Sequence, residues 1–185
     1  MRNLNNNFLF SEAYIKESIK NNKKIKGCNY INMFTAIKEW HEPFEDGDYS
    51  EDEWIDEFID LSLDVLGFKK KVNFSERVLY TNSITDSENP VATCYVLEKN
   101  EDLDCKIKGN YYSYKSVNLA KKNNVEWAML TNGYIWRIYN VDSISCYDDF
   151  LELNIEESIK NKSEPDDIFK LFILFFSATT YYKGE

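Results

Sequence analysis

Val125-Glu126-Trp127-Ala128-Met129-Leu130-Thr131-Asn132-Gly133-Tyr134-Ile135-Trp136-Arg137-Ile138-Tyr139-Asn140 decides how the rest of the chain is read. Two apolar, β-prone runs, Val125–Thr131 and Tyr134–Tyr139, flank Asn132-Gly133. An Asn-Gly pair between such runs is the strongest short-range hairpin signal. The stretch therefore reads as a core hairpin turning at Asn132-Gly133, with Trp127 and Trp136 packing together.

Working back from the hairpin, residues 111–123 read as a helix with Tyr114, Val117, Leu119 and Ala120 as its apolar side. Val91–Leu97 is rich in β-branched and apolar residues and predicts a buried strand. Asp86-Ser87-Glu88-Asn89-Pro90 is turn chemistry, and Phe68–Phe74 and Glu76–Tyr80 look like strands. Ser50-x-x-Glu53 is a capping box, since serine and glutamate three apart satisfy each other's free backbone donors. It opens a helix to about Leu66, with Trp54, Ile55, Phe58, Ile59, Leu61, Val65 and Leu66 inward and Gly67 as its stop. Residues 9–20 predict a helix opened by Ser11, and 31–41 a second, with Phe34, Ile37 and Trp40 on one face.

Forward of the hairpin come a strand at 148–154, a helix at 155–161 and a last helix at 165–181. Ser163 opens the last helix, with Pro165 just after. Its run Ile168 to Phe176 is apolar nearly all round, so it is buried on several sides or awaits a partner. The succession of helices, antiparallel strands, helix, hairpin and helices predicts an α/β sandwich with a mixed central sheet. No internal repeat or second domain is seen. The expected organisation is one domain over 1–185, with N-terminal helices at 8–66, a β-rich core at 68–140 and a C-terminal strand and helices at 148–183.

The composition agrees. A chain of 185 residues suits one domain. With 43% hydrophobic and 16% aromatic residues, general disorder is excluded. Lys and Arg number 22 against 32 Asp and Glu, a formal charge of −10, which excludes a uniformly basic nucleic-acid binder but not a local basic patch. Two segments polarise that charge. Glu42 to Phe68 holds eleven acids and no Lys or Arg, reading as a solvated face or as a surface that mimics phosphates. Residues 105–123 carry Lys106, Lys108, Lys115, Lys121 and Lys122 without one acid, and Tyr111, Tyr112 and Tyr114 lie among them. Lysines can neutralise phosphates and tyrosines can stack on unpaired bases. The same residues also suit a solvated helix face over core tyrosines.

Cys28, Cys94, Cys105 and Cys146 are far apart, with no CxxC and a single histidine, His41. That argues against a Cys/His zinc site and for reduced thiols in a cytoplasmic setting. No motif places a nucleophile and a carboxylate near His41 for a triad. Met1 to Asn7 leads to no signal-peptide core, and the apolar run Leu171–Phe176 is too short to span a membrane.

The hairpin block Val125–Asn140 resembles the pattern V-x-W-x-x-L-T-N-G-x-x-W-R-L-Y of the N-terminal nuclease-like domain of type IIG restriction-modification enzymes, related to a domain of type I restriction R subunits. Phe8-Leu9-Phe10-Ser11-Glu12-Ala13-Tyr14 is also similar to the family. So are Glu57-Phe58-Ile59 leading to Val65-Leu66-Gly67-Phe68, and Leu151-Glu152-Leu153 followed by Phe169–Phe176. The blocks fall in family order over about residues 8–176. The resemblance implies a restriction-endonuclease-like, PD-(D/E)xK fold, whose active form hydrolyses DNA phosphodiesters with Mg²⁺. It implies a restriction or phage-defence setting. No methyltransferase motif is present, so any modification or target-recognition function is expected on another chain or a missing segment; a modification or specificity subunit is the implied partner, and the apolar final helix suits docking to it.

Such hydrolysis needs clustered carboxylates on the metal and a cation at the water or phosphate. The family supplies a strand acid after a proline, then acid-x-Lys on the next strand. Residues two apart share a strand face. This chain departs from that pattern. Its strand ends Tyr95-Val96-Leu97-Glu98-Lys99-Asn100, so Lys99 as motif lysine puts Leu97 at the acid position, and Glu98 as motif acid puts Asn100 at the lysine position. The preceding Pro-Asp is absent; Glu76 falls at that acid, with Asp86 a poorer second. Lys115 aligns with the family's helical glutamine, and Glu57 matches its helical glutamate. The implied site is Glu57, Glu76 and Glu98 on Mg²⁺, with Lys99 or Lys115 as the cation, so Glu98, Lys99 and Lys115 are the candidate catalytic groups. Lys106, Lys108, Lys115, Lys121, Lys122, Tyr111 and Tyr112 would meet DNA. The alternative is a catalytically inactive, acidic, nuclease-derived binding module: a DNA mimic, inhibitor or scaffold.

Overall fold

The computed structural model describes residues 3–21, 29–45, 47, 49–73, 78–83 and 90–181. Its elements are β1 (Leu4–Asn7), α1 (Glu12–Asn21), α2 (Tyr30–His41), α3 (Glu51–Trp54), a π-helical segment (Ile55–Ile59), α4 (Asp60–Val65), β2 (Phe68–Asn73), β3 (Val78–Ser83) and β4 (Pro90–Val96). They continue with β5 (Lys106–Ile107), β6 (Asn110–Tyr111), α5 (Tyr112–Lys122), β7 (Trp127–Thr131), β8 (Ile135–Asn140), β9 (Phe150–Asn154), α6 (Glu156–Asn161) and α7 (Asp167–Phe176). Seven strands form one mixed sheet in the order β1-β9-β8-β7-β4-β3-β2. Among its pairings only β4 with β7 is parallel. Parallel neighbours need a crossover, and α5 supplies it. The chain is thus α/β, with a mixed sheet flanked by helices.

Strand periodicity divides the core in two. Ala92, Cys94, Val96, Met129, Trp136 and Ile138 point to one face, under α2, α3, α4 and α7. Leu97, Ala128, Leu130 and Tyr139 point to the other, under α5. The Ser50–Glu53 capping box forms as expected, with both reciprocal bonds made, and the helix runs without a break from Glu51 to Val65. Gly67 follows at φ +90°, a left-handed turn that glycine adopts without a Cβ penalty.

Several expectations are corrected. The hairpin tip is Gly133-Tyr134 rather than Asn132-Gly133: Thr131 pairs with Trp136, and the Asn132 amide donates to Ile135 O. Gly133 alone takes a positive φ in the turn, at +94°. Asn132 instead turns its side chain inward, where Oδ1 accepts from Tyr134 N and Ile135 N. Trp127 and Trp136 share a sheet face but rest on the C-terminal segment: Trp136 on Phe172 and Phe176, Trp127 on Tyr181. The last helix is capped by Asp166, not Ser163, because the Asp166 carboxylate accepts from both Phe169 N and the Ser158 hydroxyl. Its apolar surface is consumed by this chain's own core, Phe169, Leu171, Phe172 and Phe176 being fully buried. The expected docking of a partner on that helix therefore loses its basis. No helix among the described residues is long and apolar enough to cross a membrane, and Cys94, Cys105 and Cys146 are free thiols. Cys28 and the turn at 86–89 lie outside the described residues.

Candidate functional site

The site predicted from the sequence lies where β4 leaves the sheet. Leu97 is buried and its amide still donates to Thr131 O at 2.7 Å, holding the strand direction past Val96. The chain then turns. Glu98 N donates to Glu101 Oε2 (3.0 Å), and Glu101 N donates back to Glu98 O (3.0 Å). Two residues of distant segments fix this turn: Tyr112 donates its hydroxyl to the Glu101 carboxylate, and Asn132 Nδ2 donates to Glu101 O at 3.0 Å. Further on, Arg137 grips the same loop by donating to both Asp104 oxygens, at 2.7 and 3.2 Å. Asn132 and Arg137, quoted above for the hairpin they mark, thus position the loop that carries Glu98. Sequence reasoning assigned them no such role.

Lys99 points away from this loop into the helical layer. Its Nζ donates to Phe44 O at 2.9 Å and to the Tyr49 hydroxyl. The ammonium lies 4.4 Å from the Tyr49 ring centroid, 4.7 Å from Trp54 and 5.6 Å from Tyr134. Ring quadrupoles attract a cation at these distances. As placed, Lys99 is a packing cation in an aromatic cage, not a group turned toward a scissile phosphate. Lys115 is half-buried on α5, 5.8 Å from the Tyr95 ring and 6.0 Å from that of Tyr112. Glu57 is exposed on the π-helical segment, while Asp60, one turn on, is buried. Glu76 and Asp86 lie outside the described residues. Among the described residues no three His, Cys, Asp or Glu side chains come together as a metal site.

The basic segment divides. Lys106, Lys108, Lys121 and Lys122 are exposed. Tyr112 is 4% exposed and committed to Glu101, so it cannot stack on a base. Burial and that bond push its phenol well above the ordinary range. Tyr114, expected inward, is 40% exposed. The helix starts at Tyr112, which sets Tyr112, Ser116, Val117 and Ala120 on the core side.

His41 is fully buried, with Nε2 2.6 Å from the Tyr134 hydroxyl and Nδ1 3.5 Å from Glu45 Oε1. Tyr134 is also buried, and burial pushes its phenol up to about 12, so this set makes no accessible nucleophile. Burial, with Lys160, Lys99 and Lys38 near, pulls His41 down from 6.5 to about 4, against a weaker upward pull from Glu156. Between those pH values the unfolded chain protonates His41 and the folded chain does not. Stability is therefore full above pH 6.5 and falls by up to about 3 kcal/mol as pH drops to 4. Urea unfolding at stepped pH, beside a His41→Gln variant, checks this. The variant should have a shallower pH slope through that window, and parallel slopes would refute the assignment.

The chain matches no protein-family model, no curated protein and no solved structure.

Proposed function

We propose that this chain is a restriction-endonuclease-like domain of a restriction or phage-defence system, one that engages DNA and whose hydrolytic centre is altered. One observation carries the reading. An acidic helix is followed by the antiparallel succession β2-β3-β4, and α5 then crosses to β7, parallel to β4. The nuclease pattern needs that succession: a helical acid, a strand acid, an acid-x-Lys strand and a helix beside it. Of the four matching segments, Glu57–Phe68 covers the end of that helix and the start of β2, and Val125–Asn140 covers β7 and β8.

The described residues do not fit a bound Mg²⁺. Leu97 fills the position two before Lys99, Lys99 is caged by aromatic rings, and no three acids converge among the described residues. No hydrolytic step is therefore assigned to them. The test is to incubate the protein with plasmid and single-stranded DNA in Mg²⁺, Mn²⁺ or EDTA, beside Glu98→Ala. The expected result is no metal-dependent cutting by either protein. Cutting that Glu98→Ala abolishes would make the domain a nuclease with Glu98 as a ligand. Duplex binding should fall steeply with salt, with a logarithmic slope of about 0.9 per phosphate contacted.

A second reading rests on the acidic face. Glu42, Glu45, Glu51, Asp52, Glu53, Asp56, Glu57 and Asp64 are all exposed along α3, α4 and the segment before them. Such a face suits an acidic module that occupies another protein's DNA groove. A module of that kind would bind no duplex even at low salt, and that result would replace the first reading.

A further inference from the structure

We propose that an exposed tyrosine–lysine strip along α5 is a stacking platform for single-stranded nucleic acid. The inference rests on the reading that the domain engages nucleic acid, and it names the form bound there. Tyr114, Asn118 and Lys121 fall three or four residues apart on one face of α5, and Tyr111 precedes them at the helix N-cap, where β6 ends. Tyr111 and Tyr114 are 42% and 40% exposed, with ring centroids 6.4 Å apart and planes 27° from parallel. Tyr147, from the segment after β8, lies on Tyr114 at 4.3 Å and 6°, and its hydroxyl donates to Asn118 Oδ1 at 2.8 Å. Lysines cap both ends of the stack: Lys106 lies 4.5 Å from the Tyr111 ring and Lys121 4.8 Å from Tyr147.

The chemistry of this strip selects its ligand. It is rich in ring faces, and apart from Tyr147 its residues fall in the acid-free segment 105–123 of a chain whose net charge is −10. An apolar protein partner would gain from the rings but would desolvate the ammonium groups. A phosphate-linked chain of bases satisfies both, bases on rings and phosphates on lysines. Within a duplex the base faces are stacked on each other and cannot reach the tyrosines, so the rings call for an unpaired strand. A base arriving on Tyr111 takes the ring face that Lys106 covers, and the displaced ammonium is left beside the incoming phosphate. The β5–β6 hairpin adds a second cation. Its tip, Lys108-Gly109, has both residues at positive φ (+50° and +86°), and the space around Gly109 is open.

The test is fluorescence anisotropy with labelled oligothymidylate and oligouridylate of about 16 nucleotides and a duplex of equal length. The proteins are wild type, Tyr111→Ala/Tyr114→Ala and Lys106→Gln/Lys108→Gln, all substituted at exposed positions and checked for folding by circular dichroism. Wild type should bind a single strand more tightly than the duplex. The tyrosine variant should lose about tenfold or more on single strands and little on duplex. The lysine variant should lower the single-strand salt slope by about 1.4. The tighter of the two single strands names the source, DNA or RNA. Single-strand affinity unchanged in the tyrosine variant, or a duplex preferred over both strands, overturns the platform. Duplex binding that persists in that case leaves the domain reading standing. Tyrosine-dependent single-strand binding without duplex binding or cutting sustains the platform and removes the domain reading.

Discussion

Arg137→Met is expected to destabilise the protein by about 3–5 kcal/mol, the cost of removing one partner from a buried charged network. Arg137 is 3% exposed. Its guanidinium donates to Glu152 Oε2 at 2.8 and 2.5 Å and to Asp104 at 2.7 and 3.2 Å, and it lies 4.2 Å from the Phe150 ring centroid. Methionine fills most of the volume but strands the Glu152 carboxylate, only 20% exposed, without its cation. Asp104 is 71% exposed and can turn to water, so Glu152 carries the penalty. Arg137→Met/Glu152→Gln should therefore recover part of the loss, and Arg137→Lys, which cannot serve both carboxylates at once, should fall between. Urea unfolding measures all three. An Arg137→Met protein within about 1 kcal/mol of wild type would mean that the network contributes little beyond its packing. The same variant loosens the loop of Glu98 through Asp104, so any DNA affinity that depends on that loop should drop with it.

Local chemistry was legible, and long-range company was not. Ser50 and Glu53 predict their capping box because both partners lie within one turn. The π-helical segment that follows leaves no such mark, although Trp54 just before it and Phe58 and Ile59 within it are fully buried. Leu4–Asn7 is three asparagines and a leucine, poor strand formers, and it becomes an edge strand only because β9 offers it an unpaired edge. The Asn-Gly pair located the hairpin but misplaced its tip by one residue. Thr131 Oγ1 accepts from Gly133 N, and the Asn132 side chain spans the turn, so side chains as well as backbone choose the register.

The site divides in the same way. The sequence marks Glu98 as a strand-end acid and notes that Leu97 interrupts the motif. It cannot foresee where Lys99 goes, because Phe44, Tyr49, Trp54 and Tyr134 come from three separate segments and no spacing rule joins them. The run Tyr111-Tyr112-Ser113-Tyr114 is as aromatic on one helix face as on another. Which tyrosine is buried depends on Glu101, which takes Tyr112 and leaves Tyr111 and Tyr114 outside.

A tight junction at the hairpin tip makes the second large prediction. Gly133→Ala should cost about 2–5 kcal/mol, the sum of a left-handed backbone strain and an overpacking term. A Cβ at residue 133 would stand 2.5 Å from Trp54 Cζ2, 2.8 Å from Cε2 and 2.9 Å from Nε1. Trp54 has little room to yield. It is fully buried, its Nε1 donates to Asn132 O at 3.0 Å, and its ring stacks 4.4 Å from Phe58. Gly109→Ala separates the two costs. Gly109 has a similar φ of +86° but no atom within 4 Å of its Cβ position, so it should cost only the backbone part, about 1–2 kcal/mol. Trp54→Phe removes the atoms that clash, so in a double-mutant cycle the pair should be less destabilising than the sum of its singles. Equal losses at Gly133 and Gly109, or an additive cycle, would show that the turn and not the tryptophan sets the cost. Lys99 should report the same displacement, because its cation rests on the Trp54 ring. Moving that ring far enough to clear an alanine Cβ shifts the floor of the cage, and the loop beginning at Glu98 lies one residue away.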